Sequence, residues 1–162
     1  MDNFITKIRI ETNMKIRRVV TGHNKEGKSI VKWDTEIEGT LGRNGFFNFP
    51  MWATKELPAK FDDEDPNTWE LGTSMANGSV FRIVRYKPGV VGRWHKTDSI
   101  DYAVVLSGEL VMQLEEEEVL LKPGNVVIQR GTLHNWVNRG PEDVVIAFIL
   151  IATEGGKSTG WE

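Results

Sequence analysis

The histidines set the chemical question. The chain holds three, His23, His95 and His134, and two of them sit in stretches crowded with polar side chains. One stretch is RWHKTDSIDY, residues 93–102; the other is GTLHNWVN, residues 131–138. On a β-strand alternate residues share a face. His95 and Thr97 therefore point one way, with Trp94 and Lys96 opposite. Asp101, Ala103 and Val105 form a second one-sided row, and His134, Trp136 and Asn138 a third. If these rows face one interior, His95, Asp101 and His134 make a 2-His-1-carboxylate set. Such a set suits Fe(II), Mn(II), Zn(II) or Ni(II) and leaves positions open for substrate. Without a metal, His134 with Asp101 or His95 makes a general acid/base pair, because imidazole titrates near neutral pH and burial beside a carboxylate tunes it. Spacing alone equally allows ordinary polar residues near strand ends, so the elements that carry these residues have to decide.

Those elements read as strands. KIRRVVTGHNKEGKSIVKWD (15–34) is two β-leaning runs around a polar turn, a hairpin with His23 exposed in it. SVFRIVRY (79–86) alternates and is broken by KPG. YAVVLSGELVMQLEEEEVLLKPGNVVIQRGTLHNWVN (102–138) contains several short strands, with Glu115–Glu118 as a solvated hairpin tip. EDVVIAFILIA (142–152) is rich in Val and Ile and reads as a buried strand rather than a helix. Residues 51–78 are rich in Asp, Pro, Asn and Gly; they read as an irregular connection carrying Trp52 and Trp69, with room for a helical turn at ATKEL. Gly89, Gly108, Gly124 and Gly131 read as turn residues, Asp98 and Ser99 as local turn formers, and Tyr102 as facing away from Asp101. The tail EGGKSTGWE reads as a loose end with Trp161 as a possible anchor. Many short strands at close spacing give an all-β sandwich or barrel.

Composition narrows the classes. The 162 residues carry a net charge of −3, with 40% hydrophobic and 27% charged residues, an ordinary globular balance with no basic excess for nucleic acid. No apolar run reaches the roughly 18–20 residues that span a bilayer as a helix. The first twenty residues lack the apolar core of a signal peptide, so a cytoplasmic location is expected. With no cysteine, disulfides, thiolate catalysis and sulfur-ligated metals are excluded.

The two polar stretches also resemble the paired motifs of the cupin superfamily. In G(x)5HxH(x)3–4E(x)6G the corresponding positions are Gly89, His95, Thr97, Asp101 and Gly108. In PxGxxHxxxN they are Gln129, Gly131, His134 and Asn138. The likeness covers about residues 79–152, and the wording of both motifs with IRRVVTGHNKEGKSIV is similar to a subgroup of small single-domain cupins. The departures are chemical: Thr97 replaces a histidine ligand, Asp101 is one methylene shorter than glutamate, and Gln129 replaces proline in a segment one residue shorter than usual.

The resemblance implies a double-stranded β-helix (jelly-roll) barrel, with residues 1–78 as an N-terminal β arm and connection packed on it, and 79–162 as barrel core and tail. It implies an enzyme of dioxygenase, isomerase or lyase type acting on a small organic molecule. His95, Asp101 and His134 would be catalytic residues and ligands of a divalent metal (Fe, Mn, Zn or Ni), with no organic cofactor. Thr97, Trp136, Gln129 and Asn138 would contact substrate. Two alternatives stay open: a metal-free acid/base lyase, dehydratase or isomerase, and a non-catalytic small-molecule binder. Pairing through arms and sheet edges makes a homodimer the expected assembly.

Overall fold

The computed structural model describes residues 14–42 and 44–156. The tail residues 157–162, with Trp161, lie outside the described residues. Two compact units divide after Gly39.

The first unit is a hairpin. Strand β1 (Lys15–His23) pairs antiparallel with β2 (Ser29–Glu38), from Lys15 opposite Glu38 to His23 opposite Ser29, with an irregularity between Val20 and Thr21. Asn24 shapes the turn: its Oδ1 accepts from the backbone N–H of Glu26 (3.1 Å) and of Lys28 (2.9 Å). Arg17 grips Asp34 with two parallel bonds of 2.8 and 2.7 Å on the exposed face, so solvent screens most of their energy. His23 is exposed at the end of β1.

The second unit holds every other element. They are β3 (Thr40–Leu41), β4 (Phe46–Thr54), a 3-10 turn at Pro66–Thr68, β5 (Ser79–Tyr86), β6 (Ser99–Ser107), β7 (Leu110–Gln113), β8 (Glu118–Leu121), β9 (Val126–Arg130), β10 (Asn135–Val137) and β11 (Val144–Ala152). One sheet runs β3-β4-β5-β11-β6-β9 and the other β10-β7-β8. Isolated bridges at Val91–Val137 and His95–His134 lay the segment after β5 alongside β10. Among the described residues there is no α-helix, and no helix long and apolar enough to cross a membrane.

Alternation builds the core. Val80 and Val84 of β5, Ala103 and Val105 of β6, Leu110 and Met112 of β7, Trp136 of β10, and Ile146 and Leu150 of β11 are buried in one cluster. Each large side chain taken from water contributes about 1.5–3 kcal/mol, before chain entropy is counted against it. The opposite row of β6, Ile100, Tyr102 and Leu106, is exposed, so Tyr102 faces away from Asp101 as its parity requires. Gly108 turns β6 into β7 at φ 73°. A Cβ there would stand 2.5 Å from the Asp143 carbonyl oxygen, so both angle and space demand glycine.

Two sequence readings are corrected. Residues 51–54 are strand: β4 is the partner of β5 from Phe46–Tyr86 to Thr54–Ser79, and Pro50 is accommodated where the register shifts. No helical turn forms at ATKEL; the short helical piece is at Pro66–Thr68, capped by Asp65 Oδ1 accepting from Asn67 N–H at 3.0 Å. The stretch 40–78 thus contributes strand β4 to the sheet that carries β5 and β11.

Candidate active site

The site starts from a backbone contact. His95 and His134 exchange both backbone N–H···O=C bonds, each 2.9 Å, which puts their rings side by side with centroids 4.2 Å apart. Each ring is then tied through Nδ1. In His95, Nδ1 meets the Arg93 carbonyl oxygen at 2.9 Å; in His134 it meets that of Thr132, also at 2.9 Å. A carbonyl oxygen only accepts, so these bonds place the hydrogen on Nδ1 and the lone pair on Nε2. The Gln129 amide nitrogen also lies 2.9 Å from His134 Nδ1, and it donates to Thr132 O and Oγ1. With the hydrogen on Nδ1, the amide's two hydrogens go to the two Thr132 oxygens and every donor in the cluster is satisfied. Gln129 positions the Thr132 turn that holds the imidazole.

Burial sets the charge state. His134 is pulled down to about 4, first by burial and further by neighbouring His95, against the opposing pull of the Thr132 carbonyl. His95 is lowered too, mainly by burial. Both are neutral at neutral pH, and their closeness disfavours charging both at once.

Asp101 is used differently from the sequence expectation. Its Oδ2 accepts from Thr97 Oγ1 at 2.9 Å and its Oδ1 from Ser99 Oγ at 2.5 Å. Burial pushes its carboxyl above the usual range, while the two hydroxyls and the charge of Arg82 pull it back. Both oxygens are taken by hydroxyls rather than turned to an imidazole. Among the described residues no three His, Asp or Glu side chains are placed to share one metal ion. His95, Asp101 and His134, the expected catalytic and metal-binding set, stand here as a histidine pair beside a hydroxyl-bound carboxylate. Two imidazoles alone are short of the three or four protein ligands that usually hold such a metal.

The pair lines a cavity of about 340 Å³. Thr97, Asp101 and Trp136 share its wall, with apolar faces from Phe46, Val84, Phe148 and Leu150. Trp136 packs edge-on between His134 and Phe148, 5.4 Å from each ring centre. Two expected substrate contacts are elsewhere. Gln129 is buried against Thr132 and is not part of the wall. Asn138 donates to the Tyr86 and Glu142 carbonyls at 3.0 and 2.8 Å and accepts from Gly140 N–H at 3.0 Å. Those bonds occupy its amide with backbone, which makes it a strap for the barrel end.

The wall also holds residues that sequence reading passed over: Phe46, Thr73, Arg82 and Arg93. Phe46 and Arg82 sit on strands, and it is cross-strand pairing, Phe46 with Tyr86 and Arg82 with Phe148, that places them on the cavity face. Thr73 and Arg93 sit on irregular segments that carry none.

The cupin-domain family profile matches residues 82–151. The chain is 33% identical to the cupin-domain-containing oxidoreductase fogC of Aspergillus ruber over 76% of its own length and 64% of that protein's, so it spans just under two thirds of that relative. It is 38% identical to phomopsin biosynthesis cluster protein C' of Diaporthe leptostromiformis over 75% of this chain and 70% of that one. Among solved structures, the polyketide cyclase RemF of Streptomyces resistomycificus superposes with a TM-score of 0.56 at 11% identity, covering 78% of this chain and 79% of that one, a likeness of fold. Barrel topology, paired motif positions and these relatives converge: the chain belongs to the cupin superfamily.

Proposed function

We propose that the chain is an enzyme that moves a proton on a small organic molecule held inside the barrel, with the His95–His134 pair as its acid/base group. The carrying observation is the pair itself: two neutral imidazoles 4.2 Å apart, each fixed through Nδ1, on the wall of a largely apolar cavity. As a base, Nε2 of one ring takes a proton from a carbon beside a carbonyl. The C–H electron pair moves into the substrate and forms an enolate. Returning the proton to a different carbon gives an isomer; giving it to a departing hydroxyl gives a dehydration product and water. Atoms and electrons balance in both without an outside oxidant. Neutral histidines suit the first half, and the imidazolium produced is a strong acid in its buried setting, which suits the second. Asp101 holds Thr97 and Ser99 in place.

The phomopsin-cluster relative supports a role in small-molecule biosynthesis. The oxidoreductase designation of the Aspergillus ruber relative favours a second reading, oxidation of a similar molecule in the same cavity. Product mass separates them: unchanged mass or loss of water fits proton transfer, whereas loss of two hydrogens or gain of oxygen fits oxidation. The direct test is deuterium exchange. Purified protein is incubated in deuterium oxide with a panel of β-keto carboxylates and aryl ketones, and C–H loss is followed by proton NMR. The wild type should accelerate exchange in at least one compound, and His134→Gln should slow it by about 100-fold. Equal rates with both proteins would overturn the reading, as would no acceleration across the panel.

A further inference from the structure

One cavity residue has a charge that neither the histidine pair nor the family motifs account for. Arg82 stands on β5 between Val80 and Val84, in a row whose other members are core, and its register partners are Phe148 on β11 and Pro50 on β4. Its Nη2 donates to the carbonyl oxygens of Gly72 (2.7 Å) and Thr73 (2.5 Å), which spends that nitrogen on neutral acceptors. Nε is shielded from water and makes no hydrogen bond, and Nη1 makes none among the described residues. Burial pulls the guanidinium down to about 10, so it stays charged at neutral pH.

The nearest candidate counter-ion is not in contact with it. Asp101 feels Arg82 through space, but its two oxygens are held by Thr97 and Ser99. A half-buried guanidinium held only by neutral carbonyls keeps hydrogen-bonding capacity unspent, and an anion from outside that completes it is favoured. The rest of the wall fixes the ligand's other half: Phe46, Trp136 and Phe148 offer flat apolar surfaces to an aromatic or conjugated body.

We infer that Arg82 is an anion-anchoring residue of this cavity and that the molecule it receives is a small aromatic or conjugated organic oxyanion, a carboxylate or an ionised phenol. The anchor holds the charged end while the apolar walls take the body, which leaves the reacting carbon to the histidine pair. The assignment of Arg82 to the substrate of catalysis rests on the proton-transfer reading above; anion binding itself does not.

The test is equilibrium binding by calorimetry with three probes of similar shape: benzoate, p-nitrophenolate, and neutral benzamide. Benzoate or p-nitrophenolate should bind wild-type protein about tenfold or more tighter than benzamide, and whichever leads identifies the oxyanion. Arg82→Met should erase the preference. Arg82→Lys should keep part of it, because lysine retains the charge without the planar fork. The anion preference is read on the wild type and the Arg82 variants and the deuterium exchange on His134→Gln, so failure of the anchor and failure of the acid/base reading show up in different measurements. Equal affinity of wild type for the anions and benzamide overturns the inference without any variant, which covers the case of Arg82→Met failing to fold once its bonds to residues 72 and 73 are lost. A preference that survives in folded Arg82→Met overturns it as well.

Discussion

Removing the titration of His134 should flatten the acid limb of the stability curve. Burial lowers the folded-state value of this imidazole to about 4 from an ordinary 6.5. The unfolded chain therefore binds a proton between those values that the folded chain refuses. The contribution of neutral His134 to stability is whole above pH 6.5 and is lost as pH falls toward 4. From pH 7 to pH 5 that linkage costs the folded state about 2 kcal/mol, an order-of-magnitude figure for one group with these two values. Asp101 works in the opposite sense: its raised carboxyl favours the folded state at low pH and loses that advantage as pH rises. His95 adds to the effect of His134. A double difference removes both. Urea unfolding followed by tryptophan fluorescence would be measured at pH 7 and pH 5 for wild type and His134→Gln. Glutamine is neutral and can still donate to the Thr132 carbonyl. The wild type should lose about 2 kcal/mol more than the variant between the two pH values. Parallel losses in both proteins would refute the claim that His134 is held neutral by burial.

Three further outcomes follow from other residues. Asn138→Ala should destabilise the barrel by about 1–3 kcal/mol, because the buried Tyr86 carbonyl and the part-buried Glu142 carbonyl and Gly140 N–H lose their partner, while the benzoate affinity of the cavity stays unchanged. Overnight dialysis against a chelator should leave the melting temperature within error and the deuterium exchange rate intact, since the donor set around His95 and His134 lacks a third ligand; a lower melting temperature restored by Fe(II), Mn(II), Zn(II) or Ni(II) would reverse that reading. The exposed row of Ile100, Tyr102, Leu106, Val126 and Ile128 on β6 and edge strand β9 is the face on which the expected homodimer would form. Ile128→Arg should then shift the protein from dimer to monomer in light scattering, and a wild-type monomer at high concentration would remove the expectation.

How far the sequence could be read depended on how one-sided each strand is. On β6 the inward row of Asp101, Ala103 and Val105 opposes a mixed outward row, and the parity assigned Asp101 and Tyr102 to the faces they occupy. On β5 each row carries apolar residues and one arginine: Val80, Arg82, Val84 and Tyr86 against Ser79, Phe81, Ile83 and Arg85. Nothing in that alternation says which arginine turns inward, so Arg82 was invisible until β4 and β11 fixed the faces. The last four residues of β4 were read into an irregular connection because residues 51–78 are rich in Asp, Pro, Asn and Gly, whereas the β4 ladder runs on to Thr54 opposite Ser79 past a register shift at Pro50. The partners of Asp101 lay at a finer scale than parity reads. Asp101 was placed on the correct face, yet Thr97 and Ser99, of the same parity and within four residues, reach its oxygens first. Local hydroxyls compete with a distant histidine for a carboxylate, and pattern reasoning that counts only candidate ligands does not see the competitor.

The backbone bridge between His95 and His134 makes the spacing of the two imidazoles a property of barrel closure rather than of any loop. Residues 55–78, by contrast, include the surface turns and the Thr73 wall and carry no strand among them. Substitutions or length changes there would reshape the cavity without moving the His95–His134 pair. Under the proton-transfer proposal, a descendant of this chain could change what it accepts while keeping how it reacts, and the same separation marks residues 55–78 as the region to randomise when redirecting it to a new substrate.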